Sequence, residues 1–98
     1  MFTLIFAALA RDHLDALRPF ERNRILDEVD DQLSSTPHLA TPRRKVLVGA
    51  TPSFEHVPPV WQLRVGDYRV IYDVDVARSV VVVRAVLYKG KKTTGEIL

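Results

Sequence analysis

Arginine stands on both sides of the tightest turn in the chain. In the run WQLRVGDYRVIYDVD, Trp61, Leu63 and Val65 alternate along one strand, Gly66-Asp67 breaks the pattern, and Tyr68, Val70, Tyr72 and Val74 resume it. A two-residue loop beginning with glycine pairs Val65 with Tyr68, so the next rung sets Arg64 opposite Arg69, on the face away from the apolar stripe. Like charges at facing positions are unfavourable by a fraction of about 1 kcal/mol. A chain that keeps such a pair has either no reason to care or an anion to bind. The chemistry open to it is electrostatic: two fixed guanidinium groups can hold an anion and stabilise negative charge as it develops.

Other chemistries find little support. The chain has no cysteine, so it has no disulfide, no thiolate nucleophile and no cysteine-based zinc site. Its three histidines, His13, His38 and His56, lack ligand spacing, and no metal is expected. Net charge is only +2 but unevenly placed. Residues 1–42 hold four Arg against seven Asp and Glu, a net of −3, while residues 43–98 hold ten Lys and Arg against five acids, a net of +5. An acidic first part beside a basic second part suggests a polyanion at the latter and a basic partner at the former, against the plainer reading of ordinary surface charge.

The elements that must position the arginines follow from periodicity. Ninety-eight residues suit one small domain, 1–98, with a single modest core. The opening MFTLIFAALA has no basic n-region and is too short to span a bilayer, so a soluble, cytoplasmic protein with no membrane partner is expected. Residues 2–7 read as a strand. Ala10, Leu14 and Leu17 recur at helical spacing over about 8–17. A second, longer helix begins near Pro19 and carries Ile25, Leu26, Val29 and Leu33 as far as the Ser34-Ser35-Thr36-Pro37 stop. Residues 37–60 contain one short apolar run, Lys45 to Val48, that is either a strand edge or merely extended, followed by the loop GATPSFEHVPP. Three strands then form a meander: 60–65, 68–74 and 79–88. The fold class is α+β, with an N-terminal strand, a helical hairpin and an antiparallel meander completing one sheet.

The second hairpin extends the arginine pattern. A four-residue loop over Asp75 to Arg78 pairs Val74 with Ser79, and counting back sets Arg69 opposite Arg84. Arg64, Arg69 and Arg84 then make a row across three strands, with Gln62, Ile71, Val82, Val86 and Tyr88 on the same face. Trp61, Leu63, Val65, Tyr68, Val70, Tyr72, Val74, Val81, Val83, Ala85 and Leu87 occupy the core face. The alternative is that the arginines splay apart and pair with Asp67, Asp73 or Glu55.

A helical hairpin followed by a meander carrying WQLRVGDYRVIYDVD and VVVVRAVLYKG resembles the RelE/ParE superfamily of type II toxin-antitoxin toxins over essentially the whole chain. The resemblance implies a metal-independent endoribonuclease without cofactor, usually a ribosome-dependent messenger-RNA interferase, held inactive in a hetero-oligomer with a co-encoded antitoxin. Attack by the ribose 2′-OH on its own phosphate builds charge that guanidinium groups stabilise. The resemblance implies catalytic roles for Arg69, Arg64 and Lys89 and for Tyr88 beside it, with RNA or phosphate contacts at Arg84, Gln62, Lys91 and Lys92. The chain departs from the nuclease pattern in three places. Its tail, KGKKTTGEIL, lacks a terminal tyrosine; Gln62 stands where lysine is common; and Lys89 replaces the usual arginine. Tyr88 could take the missing tyrosine's place, or be an ordinary strand-end aromatic, and His56 could serve as a base, or be an exposed loop histidine. The alternatives are a ParE-like inhibitor of DNA gyrase and a catalytically weak antitoxin-binding module.

Overall fold

Alternating apolar residues in the second half of the chain form the sheet, and the 3.6-residue spacing in the first half forms the helices that cover it. The computed structural model describes all 98 residues, Met1–Leu98. The elements are β1 (Thr3–Phe6), α1 (Ala8–Asp15), α2 (Pro19–Leu33), β2 (Arg44–Val46), β3 (Val60–Val65), β4 (Tyr68–Asp75), β5 (Val80–Tyr88) and α3 (Thr94–Ile97). The sheet has five strands in the order β1-β5-β4-β3-β2, with β1 parallel to β5 and the other pairs antiparallel. The α+β expectation holds, with two additions: Lys45 and Val46 belong to a true edge strand, and the tail ends in a short helix.

Helices α1 and α2 cover one face of the sheet. Ala10, Leu14, Ile25, Val29 and Leu33 meet Trp61, Leu63, Val65, Val70, Tyr72, Val81, Val83 and Val86 in the main core. Pro19 opens α2 at a position where its missing N–H goes unnoticed. Two arginines close helix ends. Arg22 donates to the carbonyls of Leu14 and Leu17 at the end of α1. The buried Arg44 donates to Gln32 O at 2.5 Å, an orphan carbonyl in the last turn of α2, and to Thr36 O at 2.7 Å in the segment that follows the helix.

The first hairpin has the expected register, Val65 with Tyr68 and Arg64 with Arg69. Gly66 takes φ +57° in its turn, a conformation that a side chain would strain. The second hairpin corrects the expectation twice. Its four-residue loop is shifted by one, to residues 76–79, because Asp75 stays in the ladder opposite Val80 and its carboxylate accepts the Arg78 amide at 3.1 Å. A β-bulge then inserts Arg84 between Val83, opposite Tyr72, and Ala85, opposite Ile71. Arg69 consequently faces Leu87, and the row through Arg84 does not form.

The bulge also inverts the strand beyond it. Val86 turns into the helix-side core, while Ala85 and Leu87, expected there, lie on the opposite face with Val60 and Ile71. Leu47 and Phe54 from the long loop and Leu98 from the tail cover this second, smaller cluster. Arg84 itself takes the alternative assignment. Its Nε meets Asp73 Oδ2 at 2.7 Å and its Nη1 meets Glu55 at 3.3 Å.

Candidate functional site

The open face of the sheet is divided between that small apolar cluster and a basic depression, and the strand register sets both. Arg43 lies beside Arg64, whose amide donates to Arg43 O at 2.8 Å, and Arg64 faces Arg69 across the turn. An arginine row therefore exists, running from β4 through β3 toward the β2 edge rather than toward β5. Two rungs inward, on the same face, Lys45 faces Gln62, which faces Ile71. Lys89 arrives from the end of β5, held by its amide to Asp67 O at 2.8 Å in the turn between β3 and β4.

These side chains enclose a depression of about 190 Å³ lined by Pro42, Arg43, Lys45, Gln62, Arg64, Arg69, Lys89 and Thr94. Five of the eight carry positive charge and none carries negative charge. Arg64, Arg69, Lys45 and Lys89 take part in no ion pair; Arg43 alone of the five has one, with Glu28 at 2.9 Å. Burial, and then the facing Arg64 guanidinium, hold the Arg69 pKa below the ordinary guanidinium value, with Asp67 opposing them. The side chain remains charged at any physiological pH. Its Nη1 donates at 2.8 Å to both Gly66 O and Tyr68 O, which fixes the guanidinium over the turn. The result is a preorganised, uncompensated positive site matched to an anion with several oxygens, such as a phosphodiester.

The tail completes the wall. Thr93 and Glu96 form a capping box, with the Thr93 amide donating to Glu96 Oε1 at 3.0 Å and the Glu96 amide donating to Thr93 Oγ1 at 3.3 Å. This box starts α3 and holds the Glu96 pKa below its usual value, through its hydrogen bonds with Thr93 first. Thr94 then donates its hydroxyl to Gln62 Oε1 at 3.3 Å at the edge of the depression. The buried Gln62 is thereby oriented by the tail.

Of the residues singled out in the sequence, Arg64, Arg69, Lys89 and Gln62 come together. Arg84 is engaged elsewhere. Tyr88 does not line the depression; its ring packs edge-on against Tyr68 at 5.5 Å, and Tyr68 donates its hydroxyl to Glu21 at 2.5 Å, which raises its pKa to about 12. His56 lies in the long loop with Nδ1 2.8 Å from Phe54 O, among Leu47, Gly49, Ala50 and the Pro58-Pro59 pair, outside the basic lining. Lys91 and Lys92 are exposed in the turn before α3 and do not line it either. Arg43, Lys45 and Thr94 are lining residues that the sequence reading missed. The Arg43-Arg44-Lys45 run was the available signal for the first two, and the T-x-x-E spacing of Thr93 and Glu96 for the third.

Residues 4–92 match the family model described as the ParE toxin of the type II toxin-antitoxin system parDE. The chain belongs to the RelE/ParE superfamily of type II toxins. No match was found among curated protein sequences. Its fold is similar to that of the toxin in the RelBE2 toxin-antitoxin complex of Mycobacterium tuberculosis, with TM-score 0.67 and 24% identity over 87% of this chain and 94% of that one. It is similar also to the archaeal RelE-RelB complex of Pyrococcus horikoshii OT3, with TM-score 0.65 and 22% identity over 92% and 97%. The isolated E. coli RelE toxin matches with TM-score 0.62 and 20% identity over 96% and 89%. At these identities the likeness is one of fold. In this toxin the helical hairpin lies on one face of the sheet and the basic depression opens on the other.

Proposed function

We propose that this toxin is a metal-independent endoribonuclease that cuts messenger RNA on the ribosome and is neutralised by a co-encoded antitoxin. The observation that carries the reading is the acid-free depression in which Arg43, Lys45, Arg64, Arg69 and Lys89 converge. RNA brings its own nucleophile. When a 2′-OH attacks the adjacent phosphorus, a P–O bond forms, the bond to the 5′ oxygen breaks, and charge accumulates on the non-bridging oxygens between. Arg64 and Arg69 stabilise that charge. The departing 5′ oxygen must gain a proton, which the ammonium of Lys45 or Lys89 is placed to donate, while the 2′-OH gives up its own proton to solvent. Tyr88 and His56 are assigned no role in proton transfer, and Arg84 is assigned to the fold.

Induction in a bacterial host gives the test. Wild type is expected to arrest growth, and primer extension on cellular transcripts to show cuts that require translation. Arg69→Ala is expected to relieve both. Equal arrest by the two proteins would remove Arg69 from the mechanism, and arrest without transcript cleavage would remove the nuclease.

A second reading, inhibition of DNA gyrase, is favoured by the ParE description of the matched family and by the absence of histidine and tyrosine from the depression. Inhibition of supercoiling by the purified protein, with transcripts left intact, would establish it. Either target lies in the cytoplasm, where we assign the protein, acting as one toxin domain over 1–98. The two RelE-RelB structures that it resembles contain an antitoxin, which supports a toxin-antitoxin hetero-oligomer here as well.

A further inference from the structure

The basic depression does not stop at Arg43 and Arg64. On the far side of these two arginines lies a second hollow of about 250 Å³, lined by Arg24, Glu28, Arg43, Arg64, Val65 and Gly66. Arg43 and Arg64 are thus shared walls, and helix α2 contributes a sixth cation to the trough. Gly66 permits this approach: a Cβ built there would stand 3.1 Å from both terminal nitrogens of Arg24. The Arg24 guanidinium therefore lies over the turn between β3 and β4 and makes no ion pair. Glu28 is the one acid in the two hollows, and it holds Arg43 at 2.9 Å in a pair that is half open to water.

Two adjoining cationic hollows with common walls suit two successive phosphates of one strand. We propose that the Arg24–Arg43–Arg64 hollow is a subsite for a phosphate adjacent to the one bound between Arg64 and Arg69, and that Glu28 regulates it by competing with RNA for Arg43. The inference rests on the nuclease reading and extends it to substrate length and to a built-in restraint on affinity. A phosphate entering the hollow displaces the Glu28 carboxylate and takes over Arg43. The Arg43–Glu28 pair is solvent-exposed and weakly held, so the exchange is easy.

The probe is a 5′-fluorescein-labelled RNA hexamer, 2′-O-methylated throughout so that it cannot be cut, read by anisotropy on the full chain. Arg24→Ala is expected to weaken binding roughly 3- to 10-fold and to reduce the slope of log K against log salt by about 0.7, one phosphate contact on a single strand. Glu28→Gln is expected to tighten binding roughly 3-fold, and to do so no longer when Arg43 is already alanine. Asp27→Asn, which removes a neighbouring charge from outside the trough, is expected to change little. A 2′-O-methyl dinucleotide with a single phosphodiester, titrated by NMR, is expected to bind wild type and Arg24→Ala alike.

The failures are distinguishable. If Arg24→Ala and Glu28→Gln match wild type while Arg69→Ala abolishes hexamer binding, the subsite is wrong and the nuclease reading stands. If Asp27→Asn tightens as much as Glu28→Gln, a diffuse field accounts for the effect and the subsite falls. If hexaglutamate binds in an Arg24-dependent way and the RNA does not, the trough is a protein-docking surface and both readings fall.

Discussion

At Arg69 two guanidinium groups meet rung to rung with no carboxylate between them, whereas at Arg84 one guanidinium is closed in by carboxylates; this contrast separates a binding residue from a structural one. Arg84 and Asp73 form a nearly buried pair, with side chains 12% and 7% exposed, and Asp73 Oδ2 also accepts the Val57 amide at 2.9 Å. The pair thus ties the long loop to the sheet. Asp73→Ala leaves the nearly buried Arg84 with only the exposed Glu55 as a partner, at a cost of about 3 kcal/mol. For a domain of this size the melting temperature should fall by roughly 12–24 °C. Arg69→Ala should behave oppositely. It removes hydrogen bonds to two turn carbonyls but also relieves repulsion with Arg64, so stability should change by less than about 1 kcal/mol. Thermal melts of the two variants decide the matter, and a collapse of Arg69→Ala would show that its role is structural.

At the scale of elements, the bulge in β5 is what redirects the site, and it depends on a contact that periodicity does not contain. The hairpin of β3 and β4 was legible because a two-residue glycine turn fixes register locally. Strands β3 and β5 and helix α2 were bounded to within a residue or so, and the facing of Arg64 and Arg69 followed from the turn. The second hairpin was not legible, because its loop is set by the Asp75 side chain and its bulge accompanies the Arg84–Asp73 pair. Strand β2 was half-legible: three residues carry too little pattern, and its partner β3 lies well along the chain. Helix α1 belongs to the same account. β1 stops at Phe6, so past the bulge the Val86 amide has no strand to meet, and His13 Nδ1 accepts it at 3.0 Å. Only neutral imidazole can accept there. Burial lowers the His13 pKa, with Asp12 acting against it, so in the window below the ordinary value of 6.5 the unfolded chain takes up a proton before the folded one. The contribution is complete above that value and is lost as pH falls toward the depressed one. His13→Leu should therefore cost about 1 kcal/mol at pH 7.5 and less at pH 5, seen as urea midpoints that converge on acidification. Midpoints separated equally at both pH values would show that the hydrogen bond is not pH-linked.

Across the whole molecule, the acid-rich helices pack on one side of the sheet and the basic depression opens on the other, with Arg24 alone joining the trough from α2, so the field has a direction as well as a sign. No helix is long and apolar enough to cross a membrane. A polyanion drawn to the basic side should release counterions in proportion to the phosphates it places in the trough. For roughly 3–5 phosphates on single-stranded RNA, log K should fall against log salt with a slope between about −2 and −4. What separates a built site from a general attraction is which lysines set that slope. Lys45 lines the depression; Lys91 and Lys92 carry the same charge but stand in the turn outside it. Lys45→Ala should flatten the slope by about 0.7, whereas the same change at Lys91 or Lys92 should shift affinity at low salt and leave the slope nearly untouched. Anisotropy titrations between 50 and 300 mM KCl, a range chosen because screening lengths there run from about 14 to 6 Å, compare the three directly. Equal slopes for all three variants would mean that RNA reads the basic half of the molecule as a smooth surface, and the depression would lose its standing as the place where a phosphate is held.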